Sequence, residues 1–243
     1  MAKKQDHLIA RHILEVRLKN RSLSFMDYKG EMGDFIIKKM GWNKLKLTGS
    51  RVDITNDSLD KVVFFSWENF GLQIEASENF DDFKTYINKL FEIVEEFKRY
   101  QTTDIARIGI KTSVFYHKNG MSLDGIKEVY KNMMLKNASE IESKMEGKII
   151  DTGVFAIDME SDAGHVNFTT GPMSKEEIVS KIFGNDYYSN FKYDNGIYFD
   201  IDLSQKELKL DSSQKLKELA IESVDSIEKK LGGFLEYFFN LQK

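Results

Sequence analysis

The sequence predicts an α+β protein of two similar β-α-β-β-α lobes, with mostly antiparallel sheets covered by long amphipathic helices. Three observations predict it. Several segments alternate apolar and polar residues with period two, as half-buried strands do. Two long segments repeat apolar residues at steps of three and four, which gathers them on one side of a helix. Many connections between strands are too short for crossovers, so antiparallel pairing should dominate.

Leu8 to Lys19 opens as a strand, with Leu8, Ala10, Leu14, Val16 and Leu18 in one phase and Arg11, Glu15 and Arg17 in the other. Phe25 to Met40 has helical spacing and stops at Gly41, a suitable C-terminal residue. Strands are expected over Leu45 to Ile54, Val62 to Trp67 and Leu72 to Ala76. A shift of apolar phase around Gly49 marks a bulge or tight turn. Phe80, Phe83, Ile87, Leu90, Val94 and Phe97 then trace an amphipathic helix, with Asp81 and Asp82 where negative charge favours its start.

Ile105 restarts the same order of elements. Ile108, Ile110, Val114 and Tyr116 alternate; Ser122 can cap a helix carrying Ile126, Val129, Tyr130 and Met133; Ile149 to Met159 and Val166 to Thr170 read as a hairpin. Ser174 and Glu177 form a capping box opening a short helix that ends at Gly184. A strand through Ile197, Phe199, Ile201 and Leu203 follows the Asn195-Gly196 turn. The longest helix, from about Ser212 to Leu241, closes the chain. The lobes are assigned to 1–103 and 104–243, one continuous domain being the alternative. A single proline, Pro172, and the lack of any Gly/Ser-rich tract argue against a flexible linker.

With 243 residues, 41% of them hydrophobic and 30% charged, the chain can bury a full core without disulfide or metal staples. It has no cysteine, which excludes thiolate zinc sites, iron–sulfur clusters and cysteine nucleophiles. No signal-peptide pattern or membrane span is read, and richness in Lys, Asn and Ile suggests a prokaryote, so the expected location is the prokaryotic cytoplasm. Neither a Walker loop, a dinucleotide fingerprint nor a GxSxG elbow occurs. No cofactor is expected.

Three groups of residues carry functional expectations. Positive charge is concentrated in the first fifth of the chain; there Lys38, Lys39, Lys44, Lys46 and Arg51, with Trp42 among them, could neutralise phosphates and stack a base. Helix-dipole preference and an exposed strand face explain the same lysines without a ligand. Asp200 and Asp202, two apart on a strand, point the same way and could share a metal ion, although solvent exposure produces the same alternation. Phe234, Leu235, Tyr237, Phe238 and Phe239 enrich the end of the last helix, as core or as an interface. Of the histidines, His12 lies among apolar residues and reads as a hydrogen-bonded core or rim position.

Glu15-Val16-Arg17 in the first strand, Arg107-Ile108-Gly109-Ile110-Lys111 in the central strand and the terminal Phe234, Phe238 and Phe239 resemble a sporadically distributed prokaryotic family of conserved hypothetical proteins. The central strand departs from that pattern, continuing Lys111-Thr112-Ser113 where Arg-Tyr-Asn is expected. The resemblance implies neither an established activity nor any functional residue. The expectation is therefore a non-catalytic protein-binding or assembly protein, a homo-oligomer or part of a larger complex, associating through helical surface and not with membranes. The alternatives are a nucleic-acid-facing accessory protein, of an antiviral or mobile-element system, and a metal-dependent hydrolase.

Overall fold

A computed structural model describes residues 7–20, 23–100, 102, 104–135, 138–149, 153–178, 193–208 and 212–240. Strand β1 (His7–Leu18) leads to helix α1 (Phe25–Met40), strands β2 (Lys44–Leu47), β3 (Arg51–Thr55), β4 (Lys61–Ser66) and β5 (Asn69–Ser77), and helix α2 (Phe80–Glu96). Strand β6 (Ile105–His117) is followed by helices α3 (Leu123–Met134) and α4 (Ala138–Lys144), strands β7 (Phe155–Ser161) and β8 (Gly164–Ser174), helix α5 (Lys175–Ile178), strand β9 (Asn195–Leu208) and helix α6 (Ser213–Asn240).

The strands form one antiparallel sheet in the order β2-β3-β4-β5-β1-β6-β9-β8-β7. The α+β class and the antiparallel pairing are as expected. The plural sheets are not: β1 and β6 pair along nearly their whole lengths, from His7 opposite His117 to Leu18 opposite Ile105, and join what would otherwise be two edges. Apolar residues on both central strands explain the junction, since Leu14, Val16, Ile108, Ile110 and Val114 are all buried beneath the helices.

Local signals place most boundaries. Gly41 takes the left-handed conformation (φ 69°) and returns its N–H to Ile37, ending α1. Asn79 caps α2 by accepting from the Asp82 amide, and Ser122 caps α3 at the Gly125 amide. The capping box closes reciprocally at 3.0 and 3.3 Å between Ser174 and Glu177. The expected end of that helix at Gly184, and Leu241 at the end of α6, lie outside the described residues. Of the two expectations at Gly49, the tight turn is found: Thr48 N–H donates to the Arg51 carbonyl, and Leu45 to Ile54 divides between β2 and β3. Helix α4 was not expected; it buries no residue, so it leaves no periodic apolar trace.

The long helices cover one face of the sheet. Helices α2 and α6 pack together, with Lys84 of α2 paired to Asp225 and Glu228 of α6. Beneath them lies a continuous core that includes Phe70, Phe83, Phe91, Phe199 and Phe238. Near one corner of the opposite face, α5 brings Met173 and Ile178 against Phe115 and Tyr198 in a second small cluster.

Candidate binding surface

Strand alternation decides which side chains remain on the face opposite the long helices. With Ala10, His12, Leu14 and Val16 of β1 fully buried under the helices, Arg11, Ile13, Glu15 and Arg17 point the other way. Cross-strand register carries this side outward, through Gln73 of β5, Phe64 of β4, Asp53 of β3 and Lys46 of β2. In the other direction it carries through Lys111 of β6, Asp202 of β9, Asn167 of β8 and Asp158 of β7.

At the centre the charges form a ladder. Glu15 accepts from Asn69 at 2.9 Å and from Arg17 at 2.9 Å. Arg107 lies 3.6 Å from Glu15 and 3.2 Å from Asp202, bridging β1 and β9. Gly109 leaves room for this, because the Arg107 guanidinium lies over it where a Cβ would sit only 3.0 to 3.1 Å from three of its atoms. The Glu15-x-Arg17 and Arg107-x-Gly109 sequences thus meet on adjacent strands in one ion-paired rung.

A second rung runs parallel to the first. Glu75 is nearly fully buried and pairs with Arg11 at 2.9 Å, while Gln73 donates to the same carboxylate at 2.6 Å. Across β6, Asp200 accepts from Ser113 at 2.6 Å and pairs with Lys111 at 2.9 Å. Burial, with help from the Asp200 charge, pushes the Tyr198 phenol well above its ordinary range and keeps it protonated. That is opposite to the shift a nucleophile or base requires.

Asp200 and Asp202 therefore share a side, as their spacing suggests, but each carboxylate engages a cation from β6. Among the described residues, no group of three or more His, Asp or Glu side chains has a metal-holding arrangement. At the far end His165 pairs with Asp158 at 2.7 Å and Glu160 at 2.9 Å. An open hollow of about 490 Å³ adjoins them, lined by Glu160, Asp162, His165 and Lys206 among others.

The basic residues do not form one patch. Lys44, Lys46 and Arg51 fall by register on the uncovered face at the β2 end of the sheet. Lys38 and Lys39 lie on α1 in the helical layer, where Lys39 pairs with Glu96. Arg51 pairs with Asp53 and lies over the Phe64 ring, and Lys44 donates to the Asp57 carbonyl at 2.7 Å. Trp42 is buried against Tyr86 and does not offer a face for base stacking.

The terminal aromatics lie mostly in the core. Phe238 is fully buried against Tyr130, Phe234 packs on Phe168 and Phe199, Phe239 meets Tyr116, and Leu235 is partly buried. Tyr237 remains 55% exposed. His12 is a core residue, bonded to Thr112 and stacked on Phe83. The ladder was the feature missed from sequence: its alternating charges on β1, β6 and β9 were visible, but their partnership needed the strand order.

No family model matches the chain, and no curated protein matches it. Among solved structures, a Methanococcus jannaschii TBP is similar at a TM-score of 0.29 and 12% identity, covering 91% of this chain and 99% of that one. That likeness is too distant to bear on what this chain does. Among the described residues no helix is long and apolar enough to cross a membrane.

Proposed function

We propose that this chain is a non-catalytic protein-binding or assembly protein of the prokaryotic cytoplasm, and that it meets its partner through the sheet rather than through helical surface. One observation carries the reading: the face opposite the long helices bears a fixed, charge-balanced ladder across β5, β1, β6 and β9. Ordered charges of both signs on a rigid sheet suit recognition of another protein, where complementary patterns set register and partner choice. A polyanion would meet Glu15, Asp200 and Asp202 beside the arginines. Apart from Tyr237, the terminal aromatics of α6 already pack within the chain, which weakens the helical alternative.

The strand order also supports reading the chain as two lobes, 1–103 and 104–243. It runs outward from the β1–β6 pair through β5, β4, β3 and β2 on one side and β9, β8 and β7 on the other. The lobes would share the central pair and hence one binding platform.

Affinity capture from cell extract should compare the native chain with Arg17→Ala combined with Lys111→Ala, since these two charges are 55% and 44% exposed. Proteins retained by the native chain should fall at least severalfold with the variant. Equal retention by both would end the sheet-face reading. Lys44, Lys46 and Arg51 at one sheet end favour nucleic acid as the second reading. It predicts salt-sensitive DNA or RNA binding weakened by Lys44→Glu with Lys46→Glu, and unchanged nucleic-acid mobility at low salt would remove it.

A further inference from the structure

Among the described residues the sheet ends on β2 and β7, and each end strand presents an outer row of backbone N–H and C=O groups. Both strands pair regularly with their inner neighbours, without a bulge to twist the edge away. Their side chains differ in a complementary way. On the uncovered side β2 carries Lys44 and Lys46, whereas β7 carries Asp158 and Glu160. On the helical side both are apolar, with Leu45 and Leu47 on β2 exposed by 40% and 47%, and Ile157 and a 37% exposed Met159 on β7.

From these edges we infer that a second copy of this chain docks head to tail, β7 of one molecule pairing with β2 of the next. Every neighbouring strand pair in the sheet is antiparallel, so its first and ninth strands, β2 and β7, run in the same direction. A copy shifted sideways, with its helices on the same side, therefore offers β2 parallel to β7. Directly opposed residues then share a side: with Lys44 opposite Asp158 and Lys46 opposite Glu160 on one face, Leu45 meets Met159 on the other, with Leu47 and Ile157 flanking that pair. The two self-matching alternatives are repelled, because β2 against β2 opposes lysine to lysine and β7 against β7 opposes carboxylate to carboxylate. Asp158 and Glu160 lie side by side on the uncovered side of β7, each within 2.9 Å of a ring nitrogen of His165 on the neighbouring strand. The contact is heterologous, so it propagates into an open chain or closes into a ring.

This inference rests on the assembly reading and narrows its partner to a second copy. A four-residue edge contact belongs to the weak class of interfaces, so association should grow between roughly 10 μM and 1 mM. Sedimentation velocity over that range should show a weight-average mass rising with concentration for the native chain. Lys44→Glu with Lys46→Glu makes both edges acidic, and Asp158→Lys with Glu160→Lys makes both basic; each variant alone should remain monomeric. Mixed in equal amounts they should associate again, since every unlike edge then finds its complement. Leu47→Glu, which touches only the apolar row, should independently lower association several-fold, and unchanged circular dichroism confirms that each variant is folded. A native chain monomeric throughout, a variant that associates as well as the native chain, or folded variants that stay monomeric when mixed would each overturn the edge pairing. None of these results would touch the broader reading, which is judged on proteins lost by the Arg17→Ala, Lys111→Ala variant.

Discussion

His12 lies between the rings of Phe80 and Phe83, on the covered side of β1, with Nδ1 3.1 Å from the Thr112 hydroxyl. Its Nε2 is buried without a hydrogen-bond partner among the described residues. Burial lowers its pKa from 6.5 to about 3, because the imidazolium would lose its hydration and gain no anion. The unfolded chain therefore binds a proton between those values that the native chain refuses. Stability from this group is complete above pH 6.5 and falls on acidification, by up to about 1.4 kcal/mol per pH unit. Denaturant titrations at successive pH values should show that slope in the native chain and a shallower one in His12→Phe. Equal slopes would mean that His12 becomes protonated in the folded state. Its spacing alone marked His12 as a core or rim residue; the missing partner at Nε2 depended on rings from α2.

Helix α6 and the ends of the sheet show what periodicity reveals at the scale of elements. The stepping of Leu216, Ala220, Val224, Ile227, Leu231, Phe234, Phe238 and Leu241 marks one side of α6; Phe234 is partly buried, Leu241 lies outside the described residues, and the other six are buried. The same spacing does not distinguish an apolar stripe that meets its own sheet from one that meets another molecule. Phe238→Ala should destabilise the fold by about 3 to 5 kcal/mol, whereas Tyr237→Ala should change stability by less than about 0.5 kcal/mol. Thermal denaturation of both variants checks this, and a small effect at Phe238 would return the helix end to the interface reading. Short β2 is the opposite case. All four of its residues are exposed, so it could be recognised only by its alternation of Lys and Leu, and it merged with β3 until the turn at 48–50 separated them.

For the whole molecule, the α+β class and antiparallel pairing followed from short connections and two periodicities, while the count of sheets did not. Joining depends on β1 and β6, whose ends are far apart in sequence; their alternation states that each is half-buried but not which strand lies beside it. The same limit hid the ladder, because Glu15, Arg107 and Asp202 come from three strands scattered along the chain. Arg107-x-Gly109 was visible as a motif, yet the glycine's purpose appears only once a guanidinium lies across it. With the long helices on one face and most of their aromatics packed in or against the core, the uncovered side of the sheet is the surface proposed to meet a partner.

Amide hydrogen exchange, followed from dilute to concentrated protein, tests most directly whether the sheet edges or the helical surface meet a second copy, because it reads both in one experiment. The account predicts that added protection at high concentration is confined to residues 44–47 and 155–161, with α6 unchanged. Added protection along α6 with none at the two edge strands would contradict it.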